Sequence, residues 1–276
     1  MKTRIVFPAL LIALMCVVAC KKQTTEANLQ SATDNELAMR ESNNVVDAVN
    51  GVGMNPADAQ RLAFGGHPHP GMQLPDCAVV TVDTVSNPRV ITIDFGTSNC
   101  LCSEMDGKYR RGKIIATYSG RYEDAGTVIH MYTEDYYVND YLHVFDKTVT
   151  NLGVDHDGYI EFSIHATGNI ATEAGNITWN SDRTRIWIAG FDTHNDCLDD
   201  VYEVTGGATG VDRNGDAFTM TITSPLRREL DCRWIVSGTM EITIEGKPTR
   251  TIDFGNGDCD SQATGSCNGH SRVINL

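Results

Sequence analysis

Apolar and polar residues alternate along most of this chain from Cys77 onwards. Ile91, Ile93 and Phe95 alternate with Thr92 and Asp94, and the period returns in Ile160, Phe162, Ile164 and in Phe218, Met220, Ile222. Met240, Ile242 and Ile244 stand opposite Thr239, Glu241, Thr243 and Glu245 in the same way. A period of two with one apolar side predicts half-buried antiparallel strands, because successive side chains leave a strand on opposite faces. Asp106-Gly107, Asp157-Gly158, Asn214-Gly215 and Gly246-Lys247-Pro248 punctuate the runs. Asn-Gly tolerates the positive φ angles of a type I′ hairpin, so 214–215 is expected to form one. On the order of a dozen strands follow one another, with no helical period among them. The expected fold is all-β: an antiparallel β-sandwich, or two duplicated sheet modules, over residues 76–276.

The first 75 residues have another texture. Lys2 and Arg4 precede an apolar run of fifteen residues, Ile5 to Ala19, which includes Pro8. That length suits the core of an export signal and falls short of the roughly 20 residues needed to span a bilayer. The run closes with Val17-Val18-Ala19-Cys20, which resembles the lipobox of bacterial lipoproteins: a branched apolar residue at −3, a small one at −1, then the acceptor cysteine. The resemblance implies that residues 1–19 are a signal peptide and that Cys20 carries lipid in the mature protein. Acyl chains contributing about 0.8 kcal/mol per buried methylene would then attach it to a membrane. Lys21 stands where the inner-membrane retention signal has aspartate, which points to the outer membrane of the cell envelope.

Residues 20–75 read as a flexible tether. Lys21 to Glu41 is polar apart from Leu29, Leu37 and Met39, too little apolar surface to offset chain entropy. A short helix is expected at Asn43–Val49, where Val45, Val46 and Val49 share a helical face. Gly65-Gly66-His67-Pro68-His69-Pro70-Gly71 breaks any regular element. Its two histidines could hold a metal, but the composition is that of a linker.

Charge narrows the partners. The 276-residue chain has net charge −14, which becomes −16 once Lys2 and Arg4 leave with the signal. Such a surface repels phosphate backbones, and no basic stripe compensates, so nucleic acid is excluded as a partner. The cysteines agree with export. Apart from Cys16 in the signal and Cys20, there remain Cys77, Cys100, Cys102, Cys197, Cys232, Cys259 and Cys267, a disulfide framework in an oxidising compartment. Zinc is the competing reading, but Cys100-x-Cys102 lacks the two-residue gap of zinc knuckles.

One block occurs twice. Val90-Ile91-Thr92-Ile93-Asp94-Phe95-Gly96 is followed after three residues by Cys100; Arg250-Thr251-Ile252-Asp253-Phe254-Gly255 is followed after three by Cys259. Each copy has an upstream cysteine, Cys77 or Cys232. The simplest physical reading is a hairpin stapled at entry and exit, which pairs Cys77 with Cys100 and Cys232 with Cys259. Cys102 is then expected to pair with Cys267, leaving Cys197 free. Asp-Phe-Gly also occurs in protein kinases, but no catalytic loop, strand lysine or helical framework accompanies it here. These blocks, with Ile177-Thr178-Trp179-Asn180-Ser181-x-Arg183-Thr184-Arg185 and the closing Gly-Asp-Cys-Asp, resemble a group of uncharacterised Gram-negative lipoproteins over roughly residues 76–276. The resemblance implies an exported β architecture and brings no activity or catalytic residues.

Candidate chemistry is sparse. Asp192, His194, Asp196, Asp199 and Asp200 crowd one loop around Cys197, an oxygen-rich stretch that could take a cation, though its spacing matches no ligand loop. Asp212-Arg213-Asn214-Gly215-Asp216 begins like a calcium loop, with its glycine two positions early. No cofactor is expected. Tyr132, Tyr136, Tyr137, Tyr141 and Phe145 are interleaved with acids and amides, a composition that stacks on sugars or packs across strands. Adjacent Tyr136 and Tyr137 must point to opposite faces, and Trp187 alternates with Ile186 and Ile188, so an outward face with Tyr136 or Tyr137, Tyr141 and Trp187 is expected to meet a glycan or an envelope protein. Neither Gly-x-Ser-x-Gly nor His-Glu-x-x-His is present. The readings are therefore a non-catalytic binding module, a structural subunit of the envelope, or a glycan- or envelope-polymer hydrolase with paired carboxylates. With 36 acidic residues in the chain, proximity of two carboxylates would carry little weight for the last.

Overall fold

A computed structural model describes residues 20–52, 74–103, 106–193, 198–232 and 234–275. Among the described residues one helix, α1 (Cys20–Val52), precedes fourteen strands. They are β1 (Val79–Asp83), β2 (Arg89–Asp94), β3 (Cys100–Cys102), β4 (Lys108–Tyr118), β5 (Val128–Val138), β6 (Tyr141–Val154) and β7 (Ile160–Thr172). The remainder are β8 (Gly175–Ala189), β9 (Val201–Val211), β10 (Ala217–Glu229), β11 (Ile235–Ile244), β12 (Arg250–Asn256), β13 (Gln262–Cys267) and β14 (His270–Asn275).

The all-β, antiparallel class is as the alternation predicts. All strands belong to one hydrogen-bonded sheet, a meander in chain order from β1 to β14 with β3 attached to β4 as a side branch. The sheet curls around α1: the helix touches β2, β4, β7, β8 and β11, strands far apart in the sheet order. Its concave face carries the core. Phe145, Gly168, Trp179, Gly210, Phe218 and Ile244 form one row across six strands. Large and small residues alternate there because the rings need the room. A Cβ at Gly168 would lie 2.9 Å from the Phe145 ring, and one at Gly210 would lie 2.7 Å from the Phe218 ring.

The two copies of the repeated block fold alike. Asp94 Oδ1 accepts from Gly96 N at 2.8 Å and Asp253 Oδ1 accepts from Gly255 N at 2.9 Å. Both glycines have positive φ, +80° and +88°, a conformation other residues rarely adopt. Phe95 and Phe254 point into the core, and the disulfides Cys77–Cys100 and Cys232–Cys259 close both copies, with Cα separations of 6.0 and 5.8 Å.

Three expectations are corrected. Residues 53–73 of the expected tether lie outside the described residues, and the helix expected as a short one at Asn43–Val49 is the 33-residue α1, docked on the sheet from Ser31. Its residues Ser31, Asp34, Asn35, Ala38, Glu41, Ser42, Val45, Ala48 and Val49 are buried. Burial recurs at intervals of three and four, as on one helical face. Most of these residues are small or polar, so no apolar period betrays the face. The hairpin at 214–215 is not type I′, which needs two positive φ angles. Gly215 has one but Asn214 does not, and Asp212 closes the turn by accepting from Gly215 N at 2.9 Å. Paired positive angles occur instead at Asn139-Asp140, between β5 and β6, and at Asn268-Gly269, between β13 and β14. Finally, Cys102 and Cys267 are free thiols. Cys102 lies on β3 beside β4, and Cys267 ends β13 beside β14, at separate places in the sheet.

Candidate functional site

The polar centre of the molecule lies where α1 meets the concave face. Toward its N-terminal part, Asp34 accepts from Arg213 N at 2.9 Å and from Arg213 Nε at 2.8 Å, and Arg213 Nη2 stands 2.6 Å away. Ser31 donates to Asp212, and Trp179 Nε1 donates to Asn35 Oδ1 at 3.2 Å. The helix is thereby fixed to β8 and to the β9–β10 turn. Two turns further, the buried Glu41 accepts from Lys108 Nζ at 2.5 Å and faces His143 Nδ1 at 3.9 Å. Burial pushes the His143 imidazole down to about 4, against the opposing pull of Glu41. Beside them the fully buried Arg110 makes a two-pronged contact with Asp106, at 2.6 and 2.9 Å, and donates from Nε to the Tyr136 hydroxyl at 2.9 Å.

Near the C-terminal part of α1 the balance of charge changes. Lys147 (β6), Arg183 and Arg185 (β8) and Arg228 (β10) share the concave face with a single helix carboxylate, Asp47, which lies within charge range of Lys147 and Arg228. Burial, reinforced by Arg185 and Arg183, pushes the Lys147 ammonium down to about 7. Burial also lowers Arg183 to about 10, and it raises the Asp47 carboxyl. Arg185 lies over the rings of Phe162, Tyr202 and Tyr122, at 4.9, 4.8 and 5.7 Å from their centroids, and bonds the Tyr122 hydroxyl. Arg228 Nη1 donates to Trp234 O at 3.1 Å. Nε and Nη2 of Arg183 and Nε of Arg185 are buried with no hydrogen-bond partner.

The expected aromatic face is not assembled. Trp187 is fully buried, stacked on Tyr202 with centroids 5.6 Å apart, and its Nε1 donates to Asp200 Oδ1 at 3.1 Å. The expectation took Ile186 and Ile188 for the core face. The concave face is the other one, shared by the polar and aromatic Arg183, Arg185 and Trp187. Tyr136 is likewise interior. Tyr137 is outside, under the Arg111 guanidinium at 3.9 Å, and Tyr141 is exposed across the same hairpin. Of the acidic loop, Asp192 and Asp199 are exposed, while the buried Asp200 has its carboxyl pushed up to about 6 by burial.

Some expectations lie outside the described residues: the signal peptide, the Gly65–Gly71 stretch, and His194, Asp196 and Cys197. Among the described residues no three of His, Cys, Asp and Glu stand together in a way that could hold a metal, and no helix is long and apolar enough to cross a membrane. The basic centre was missed because its cations are scattered along the chain, two apart on β8 and otherwise tens of residues away. The period-two position of Arg183 and Arg185 opposite Thr184 and Ile186 was the available signal. No family model, curated protein or solved structure matches the chain.

Proposed function

We propose that the protein is an exported lipoprotein, attached to the cell envelope through lipid on Cys20, whose curled sheet is a binding or structural module. The observation that carries the exported part is the pair of disulfides at equivalent places in the repeated block. Such staples persist in oxidising compartments and are rare in reducing ones. The lipobox supplies the anchor. Because Cys20 lies in α1, which packs in the concave face at Ser31 and beyond, the anchor would be joined to the core by helix. The outer membrane is the expected location. The binding part is the polar centre, where charged groups are held under the helix at a cost that a plain scaffold would avoid.

The test is Cys20→Ser with fractionation of the cells. Loss of the protein from the membrane fraction is expected; a variant held as firmly as the wild type overturns the anchoring. Peptide mapping of unreduced protein from the same cells checks both disulfides.

A further inference from the structure

We propose that the basic centre formed by Lys147, Arg183, Arg185 and Arg228 binds a phosphate-type oxyanion, as a free ion or as the phosphate of a monoester. The inference rests on the reading of the curled sheet as a binding module and names the chemistry of its ligand.

Three observations converge. The first is charge: four basic side chains share the concave face with two carboxylates in charge range, Asp47 from the helix and Asp200 near Arg185, in a protein whose net charge is −14. Concentrating the spare positive charge inside an acidic molecule costs free energy unless something negative offsets it. The second is valence. Arg183 presents two buried N–H groups without an acceptor and Arg185 one, whereas buried donors are otherwise satisfied almost everywhere in folded proteins. The third is room. On the inner face the ladder neighbours of Lys147 are Met131 and Ala166, and Ser181 follows Ala166 in the same row; Arg183 stands between Ile164 and Gly206. Ala166, Ser181 and Gly206 present little or no side chain beside the cations. Lys147, Arg183 and Arg185 each keep partial exposure, while the unpaired donor atoms themselves are buried.

The class of ligand follows from the donors. Planar guanidinium groups with free N–H pairs match the oxygen spacing of phosphate or carboxylate, and an ammonium adds a point charge. Four cations against two carboxylates leave an excess of positive charge that favours a dianion over a monoanion. Rings of Phe162, Tyr202 and Tyr122 hold the Arg185 guanidinium in place, so little ordering would remain on binding.

The experiment uses the purified lipidated protein in detergent micelles. Inorganic phosphate in one arm and glycerol 3-phosphate in the other are titrated at constant ionic strength against sodium chloride, with binding read by calorimetry and by the thermal midpoint. A saturable response in at least one phosphate arm is expected, and the stronger arm tells free ion from ester. Arg183→Gln and Lys147→Met should each weaken it about tenfold or more, the loss of one charge-assisted contact. Arg111→Gln, on the outer surface, should leave it unchanged. In anion-free buffer Arg183→Gln should be no less stable than wild type, because an unpaired cation has been removed. The inference is overturned by a response no different from chloride in both arms, by equal losses in Arg183→Gln and Arg111→Gln, or by an Arg183→Gln protein that is destabilised without anion. Anchoring plays no part in the titration, so a failure here leaves the Cys20 result standing, and a failure there leaves this one.

Discussion

Replacing Asp34 with alanine tests whether α1 is part of the fold. The Asp34 side chain is fully buried and accepts from Arg213 through its backbone N–H and its guanidinium, at 2.9 and 2.8 Å, with Gln30 Nε2 at 2.8 Å as a further donor. Removing one partner of a buried ion pair costs about 3–5 kcal/mol. The Arg213 side chain is 22% exposed and can recover some hydration, which places the expected loss at the lower end, about 3 kcal/mol. Alanine is the better helix former, so propensity works against the loss rather than for it. For a domain of this size the change lowers the thermal midpoint by about 6–12 °C. Urea unfolding followed by tryptophan fluorescence is the direct assay, since Trp179 bonds Asn35 on the same helix. Arg40→Ala, which removes the exposed Arg40–Glu36 pair at 3.2 Å, is the control and should change stability by less than about 0.5 kcal/mol. An Asp34→Ala protein within about 0.5 kcal/mol of wild type would mean that the helix is not docked in solution, and the tether reading would return.

Two more outcomes follow from the same structure. Replacing Cys232 and Cys259 together by serine opens a loop with a sequence separation of 27, and the chain-entropy relation puts the cost at about 3.5 kcal/mol; an unchanged urea midpoint would refute that staple. Asp200, with its carboxyl raised to about 6 from 3.8, binds a proton in the folded protein over a range where the unfolded chain has already lost it. Its contribution therefore becomes more favourable as pH falls from about 6 toward 4, and its full cost is present above 6. Asp200→Asn should be more stable than wild type at pH 7 and should lose most of that advantage by pH 4.5; an advantage equal at both pH values would show that Asp200 titrates normally.

The sheet was legible and the helix was not, for one physical reason. Strands reveal themselves by a contrast between faces, and Ile93, Phe162, Met220 and Ile242 provide it against threonines and acids. The buried face of α1 offers no such contrast. Much of its burial is carried by Ser31, Asp34, Asn35 and Glu41, each acceptable inside because a partner from a distant strand or turn meets it. Such partners, Arg213 for Asp34 or Lys108 for Glu41, lie 179 and 67 residues away, beyond any local pattern. The disulfides were legible because the repeat states them twice. The Cys102–Cys267 pairing was inferred only from the cysteines left over, and the fold sets the two thiols on separate strands. Trp187 was misplaced for the same reason as the helix: the inner face of β8 is polar and aromatic, so alternation alone chose the wrong side.

The arrangement of staples and charges also fits together energetically. The two disulfides close the hairpins near the ends of the meander, in β1–β3 and at β11–β12, while the interior cations come from β6, β8 and β10 between them. Desolvated charge weakens a fold where it sits, since Asp47 and Asp200 together leave Lys147, Arg183, Arg185 and Arg228 in excess. A disulfide acts elsewhere, by restricting the unfolded chain, and so can offset that cost without filling the space around the charges. Apolar packing in the middle of the sheet would offset it equally well but would remove the unsatisfied donors of Arg183 and Arg185. The fold therefore keeps unpaired donors in its polar centre and takes its compensation at the ends, which is the arrangement expected of a site for an anion.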